Sequence, residues 1–176
     1  MRMQMRFLGI AGAVLLFAAS AVPAEEWSQR YVESLPDSAF AVVETTRDGK
    51  KVRHLPHHNN LGEVDVYHLK RALVRVRDVK WVAPENAFKG KSHLERHYKV
   101  FKQSRAQARG LKAPININKA SVGELRQLPH IGEKRAQSIV EYRKANNDFK
   151  SVGELRRVPG IGPKIFKDIE DIVDVD

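Results

Sequence analysis

The sequence contains no cysteine among its 176 residues. A disulfide framework and a thiolate metal site are therefore excluded, although export is not, because a disulfide is optional in an exported protein. Acidic residues are in deficit, with 21 Asp and Glu against 31 Lys and Arg, a formal net charge of +10. That balance favours an anionic partner, nucleic acid or a membrane surface, without choosing between them. Aromatics are sparse at 7%, and the two bulkiest, Trp27 and Trp81, read as core or interface residues rather than base-stacking groups. Long apolar runs are missing but for one, Phe7 to Ala19. It is too short for a standard transmembrane helix. Preceded by Arg2 and Arg6 and followed by Ala21-Val-Pro-Ala24, it reads as the core of a signal peptide over residues 1–24, cut before Glu25. The rival reading is an uncleaved membrane anchor. Cleavage implies a periplasmic or secreted protein, with no membrane insertion thereafter.

What the chain does contain is one stretch written twice. Ser121-Val-Gly-Glu-Leu-Arg-Gln-Leu-Pro-His-Ile-Gly132-Glu-Lys134 recurs thirty residues later as Ser151-Val-Gly-Glu-Leu-Arg-Arg-Val-Pro-Gly-Ile-Gly162-Pro-Lys164. Roughly half of the aligned positions are identical, which marks a structural repeat. Each copy predicts helix, tight glycine turn, helix. Ser121 with Glu124, and Ser151 with Glu154, have capping-box spacing. Pro129 and Pro159 end the first helices, and Gly132 and Gly162 are expected to supply the angles of a sharp turn. Second helices follow, with apolar positions at Ala136, Ile139 and Val140, then at Phe166, Ile169 and Val173. A glycine turn opening a helix leaves amides unpaired at the positive end of the helix dipole, a favourable place for a phosphate.

Ile115-Asn-Ile-Asn-Lys-Ala-Ser121, Leu128-Pro-His-Ile-Gly132, Ile139-Val-Glu-Tyr-Arg143, Phe149-Lys-Ser-Val-Gly-Glu-Leu155 and Val158-Pro-Gly-Ile-Gly162-Pro-Lys164 resemble the tandem helix-hairpin-helix module. They resemble more closely the version found in the ComEA family, DNA receptors of natural transformation. The resemblance covers about residues 113–176. It implies contact of backbone amides with the phosphates of double-stranded DNA, without sequence preference, for DNA uptake. On that basis the DNA-binding residues are His130, Ile131, Gly132, Lys134 and Arg135 in the first hairpin, and Gly160, Ile161, Gly162, Lys164 and Lys167 in the second. DNA-uptake machinery proteins are further partners it implies. His130 stands where the second copy has Gly160; if that slot is left-handed, a non-glycine residue costs about 1–2 kcal/mol. The second hairpin is therefore expected to be the better phosphate site. Related modules occur in glycosylases with a catalytic Asp beyond the hairpin. Here Asp168 and Asp171 fall in an acidic run with no pocket, so no catalysis and no cofactor are expected.

Residues 25–112 read as a separate small basic α+β module. Ala39 to Thr46 favours a strand, Asp48-Gly49 a hairpin turn, and Lys50 to His54 the returning strand. Val66, Leu69, Leu73 and Val76 predict a helix over about 65–77, and a second helix is expected from about 85 to 109. Leu35-Pro-Asp-Ser-Ala-Phe-Ala41, Arg53-His-Leu-Pro56 and His68-Leu-Lys-Arg-Ala-Leu73 resemble a short module of phage-associated and uncharacterised bacterial proteins, which implies no function. Residues 103–113 carry little that would form a core, and the domain boundary is placed there, with Gly110 as a helix stop and Pro114 after it. The fold class is thus mainly α: a small α+β module of one β-hairpin and two helices, followed by a tandem helix-hairpin-helix domain.

The charge is uneven. Residues 25–112 hold 18 Lys and Arg against 11 acids, and residues 113–176 hold 11 against 10. Asp168, Glu170, Asp171, Asp174 and Asp176 supply half of the latter acids. Lys89, Lys91, Arg96, Lys99, Lys102, Arg105, Arg109 and Lys112 face Glu95 alone over residues 86–112, so a basic helix leads into the repeat and is expected to add non-specific attraction. Six of the seven histidines lie in the middle module. His93 and His97 share a helix face, as a metal pair would, with His57 or His58 as further ligands. The sequence around the pair lacks the metalloprotease pattern, so the histidines are read as surface or core residues and no metal is assigned. The resulting reading is an exported, non-enzymatic DNA-binding protein. A structural protein that uses the same fold for protein partners, and a metal-dependent periplasmic enzyme, remain as alternatives.

Overall fold

The computed structural model describes residues 26–175; the expected signal peptide lies outside them. Strands β1 (Phe40–Thr45) and β2 (Lys51–Pro56) form an antiparallel hairpin, with Val42 opposite His54 and Thr45 opposite Lys51. Gly49 closes it at φ 81°, the left-handed angle that favours glycine. A short helix α1 (Gln29–Ser34), capped by Ser28, precedes the hairpin and was not expected. It is held by Trp27, Tyr31 and Val32 against Leu35, Ala39 and Phe40.

Helix α2 (Val66–Arg75) starts at Asp65, whose carboxylate accepts the His68 amide. A 3₁₀ turn, Val76–Asp78, carries the same apolar face onward. Helix α3 (Asn86–Gln107) then packs on the hairpin and on α2. The core between them is small: Leu55, Leu69, Ala72, Val76 and Leu94. Gly90 lets α3 approach the hairpin closely, since a Cβ there would stand 2.9 Å from the Trp81 ring and 3.2 Å from Val42. Beside that contact the buried Glu44 of β1 accepts from the Val82 and Ala83 amides, from the Asn86 side chain and from His54 Nε2, at 2.7 to 3.1 Å. Burial pushes the Glu44 carboxyl up, but the hydrogen bonds outweigh it and hold the group at about 2.

The repeat forms the C-terminal part of the chain. Strand β3 (Ile115–Asn116) leads to the one-turn helix α4 (Val122–Leu125) and then to α5 (Glu133–Ala145). A 3₁₀ turn, Val152–Arg157, precedes α6 (Pro163–Ile169) and strand β4 (Val173–Asp174). The thirty-residue period is written into the core: Leu125, Leu128, Ile131, Ala136 and Ile139 are buried, as are Leu155, Val158, Ile161, Phe166 and Ile169. β3 and β4 pair in parallel, Ile115 with Val173 and Asn116 with Asp174, so the two ends of the repeat are joined. Asn118 reinforces the join by donating to the carbonyls of Phe149 and Val175.

Three expectations need correction. The first helices of the repeat shrink to a single turn or a 3₁₀ turn, because the chain must bend before Pro129 and Pro159. The capping box forms at Ser121, where the Ser121 amide and hydroxyl hold the Glu124 carboxyl below its usual range. It does not form at Ser151, which sits at φ −154° without a side-chain cap bond, while Glu154 accepts the Lys150 amide instead. Residues 103–113, expected to contribute little to a core, place Ala106 fully buried among the apolar residues of the repeat, with Leu111 packed beside it.

The contact does not end with Ala106. Lys102, buried on α3, lies 3.0 Å from Asp174 on β4. Lys70 on α2 reaches Asp171 at 2.6 Å and Glu170 at 3.3 Å, and the Tyr98 hydroxyl donates to Asp171 at 3.2 Å. Burial, then the Asp171 charge, raise the Tyr98 hydroxyl well above its ordinary value. The acidic run after α6 is thus the surface on which α2 and α3 rest.

Candidate nucleic-acid interface

Each hairpin turn is pinned by a buried isoleucine. The Ile131 amide donates to the Leu128 carbonyl at 3.2 Å, and the Ile161 amide to Val158 at 3.1 Å. Both side chains are only 3% exposed, so the turns stand on the core rather than on loops. The helices begin at Gly132 and Gly162, and neither N-cap offers a side-chain cap bond. The first amides with a partner are those of Ala136 and Phe166, which donate to Gly132 and Gly162. Among the described residues, no acceptor takes the amides of Gly132, Glu133 and Lys134 in the first turn, or of Gly162 and Lys164 in the second. These are the orphan donors of a helix start.

Residues 112–174 match the family model for the helix-hairpin-helix motif.

That motif suggests nucleic-acid binding in general, and it covers about a third of the chain. No curated protein matches the sequence. In this helix-hairpin-helix unit the left-handed slot is the one shared by His130 and Gly160, and the special turn angles expected of Gly132 and Gly162 are not found. His130 has φ 64° and Gly160 φ 85°, while Gly132 and Gly162 adopt φ −88° and −81°, which any residue tolerates. A Cβ built on Gly132 or Gly162 meets nothing within 4 Å. Glycine at these two places is therefore required neither by backbone angle nor by an internal neighbour. It leaves the space over the unpaired amides open.

Of the side chains expected at the interface, Lys134, Lys164 and Lys167 are exposed and make no ion pair among the described residues. Arg135 has another task. Its Nε donates to the Gly160 carbonyl at 2.9 Å and its Nη1 to the His130 carbonyl at 2.8 Å, so it ties the two turns together. The sequence signal for this was a break in the repeat, since thirty residues on stands Ile165. His130 also crosses between copies: its Nε2 lies 3.2 Å from Asp168 on α6. The two hairpins are consequently tied to each other by Arg135, with His130 of the first also close to Asp168 of the second. Their difference is not only His130. Pro163 removes one amide from the second turn, and α6 spans 7 residues against 13 for α5. The longer helix and the extra donor favour the first turn, whereas the unstrained Gly160 favours the second.

Part of the basic helix is already spent. Lys102 is buried against Asp174, and Lys91 lies 3.6 Å from Glu95. Lys89, Arg96, Lys99, Arg105, Arg109 and Lys112 remain exposed. Arg156 covers the Phe166 ring at 4.1 Å, which protects the core beneath the second hairpin. In the middle module, His93 and His97 do share a face of α3, and the fold brings His57 and His58 to them.

Proposed function

We propose that the protein binds double-stranded DNA through its phosphates, without reading sequence, and does so outside the cytoplasm during DNA uptake. The observation that carries the reading is the pair of glycines, Gly132 and Gly162, kept where nothing inside the chain demands them. With them come two sets of free amides, Lys134 and Lys164 on the first helical turns, and a rigid link between the turns through Arg135. Two such turns at fixed separation suit the two strands of one duplex, and amide–phosphate contacts position a protein without specifying bases. Lys167 and the exposed cations of α3 add to the attraction. Export rests on the N-terminal Phe7–Ala19 run. The role in natural transformation, and any partner in the uptake machinery, rest on the ComEA-type resemblance of residues 113–176. The protein acts as a binder rather than an enzyme.

A titration of labelled duplex at several salt concentrations tests this. Binding falls as salt rises, with a log–log slope near −0.9 for each phosphate neutralised. The double variant K134E/K164E weakens binding and flattens that slope. Duplex binding that is absent at low salt, or unchanged in the double variant, defeats the reading and leaves a helix-hairpin-helix protein serving protein contacts. Transformation frequency in cells lacking the protein separates uptake from DNA binding as such: undiminished uptake removes the competence role and leaves the binding activity standing.

A further inference from the structure

The middle module contains a second constellation that DNA binding does not use. His57 and His58, just after β2, meet His93 and His97, one turn apart on α3. One ring nitrogen from each of the four lies within 4.8 Å of those of the others. His57 Nε2 is 3.0 Å from His93 Nε2, and His58 Nε2 is 3.4 Å from His97 Nε2. Four imidazole nitrogens held about 2.0–2.1 Å from one tetrahedral ion stand about 3.3 Å apart. Two of the pairs already stand near that spacing, and all four nitrogens lie within 4.8 Å of one another.

The tautomers agree. His57 Nδ1 faces the Leu55 carbonyl at 3.0 Å, and His58 Nδ1 faces the Gly62 carbonyl at 2.8 Å. A carbonyl only accepts, so in each ring Nδ1 carries the hydrogen and Nε2 presents its lone pair to the cluster. This is the outer-shell pattern that orients metal-ligating histidines. His57 is fully buried, while His58, His93 and His97 are half-buried, so the site has a closed floor and an entrance from solvent.

We propose that His57, His58, His93 and His97 bind one divalent transition-metal ion, zinc first among them, through four imidazole nitrogens. Such a set suits the borderline metals zinc, copper and nickel, and gives magnesium or calcium no oxygen ligand. Four protein ligands close the coordination sphere, which marks a structural site rather than a hydrolytic one. The ion would fasten the end of the β-hairpin to α3, in a module whose own apolar core is small.

The test uses the full chain purified without a histidine tag. After dialysis against chelator, zinc is titrated by calorimetry and cobalt by visible absorption. The proposal expects one equivalent of zinc, an intense tetrahedral cobalt spectrum displaced by zinc, and a melting temperature that rises with free zinc and falls with chelator. H58A and H97A, both at half-exposed positions, each weaken zinc binding by more than the roughly 10–100-fold that a lost outer-shell partner costs. Circular dichroism of the zinc-free variants checks that they fold. Less than half an equivalent of bound zinc, with no cobalt spectrum and no thermal shift from zinc, copper or nickel, overturns the proposal. Unchanged affinity in folded H58A and H97A also overturns it.

Discussion

Arg135 of the first repeat donates through Nε to the carbonyl of Gly160 in the second, while its Nη1 holds the His130 carbonyl of its own turn. One side chain thereby sets the separation of the two turns that, in the proposed function, meet a duplex together. R135K keeps the charge and loses the fork that makes both bonds. It should destabilise the protein almost as much as R135A does, by about 1–3 kcal/mol. A chemical melt of the three proteins checks this; full stability in R135K would show that charge alone matters there.

Removing the carboxylate of Asp174 strands a buried lysine. Lys102 has a side chain only 8% exposed, and Asp174 is its ion-pair partner. D174A should cost about 3 kcal/mol, because a buried charge is left without its counter-charge. K102M/D174A should recover much of that loss, and a double-mutant cycle in urea measures the coupling.

Glu44 makes stability depend on acid. Its folded value of about 2 lies below the ordinary 4.5, so its contribution is complete above the ordinary value and fades as pH falls towards 2. E44Q should lose about 1.5–3 kcal/mol at neutral pH. The gap between wild type and E44Q should narrow below about pH 4.5. Urea midpoints at several pH values check this, and a gap independent of pH would show that Glu44 is not held ionised.

Gly90 inverts the usual helix rule. Alanine in the body of a helix gains about 1 kcal/mol over glycine. Here the new methyl would stand 2.9 Å from the Trp81 ring and 3.2 Å from Val42. Overpacking of that kind costs about 1–3 kcal/mol, so G90A should come out destabilised by about 1 kcal/mol. A thermal melt settles the sign.

Much of this fold was legible in the chain. Asp48-Gly49 between strand formers announced the hairpin, and the helical spacing of Val66, Leu69, Leu73 and Val76 announced α2. The repeat announced part of its core, at Ala136, Ile139, Phe166 and Ile169, whereas Val173, expected on the second helix, lies on β4. The turn geometry was misassigned because glycine has two uses in it. Gly160 answers a left-handed angle, whereas Gly132 and Gly162 answer only empty space, and the letter is the same. The docking of α2 and α3 on the C-terminal acids could not be read, since Lys70 and Asp171 are far apart in sequence and no local pattern couples them. The histidines fell between these cases. His93 and His97 declared a shared face by spacing, but their meeting with His57 and His58 depends on how the hairpin lies against α3.

The acids that follow α6 look, in a tally of residues, like a reason for DNA to stay away. Each of the three that the structure describes has its partner inside the chain: Glu170 and Asp171 with Lys70, and Asp174 with Lys102. They serve as built-in counter-ions, the role that dissolved anions would otherwise play beside those cations. An approaching polyanion responds to what is left uncompensated, so the field it meets comes from the exposed lysines and arginines of the hairpins and of α3. Titrating salt should therefore erode the proposed attraction to DNA well before it loosens the buried Lys102–Asp174 contact between α3 and β4.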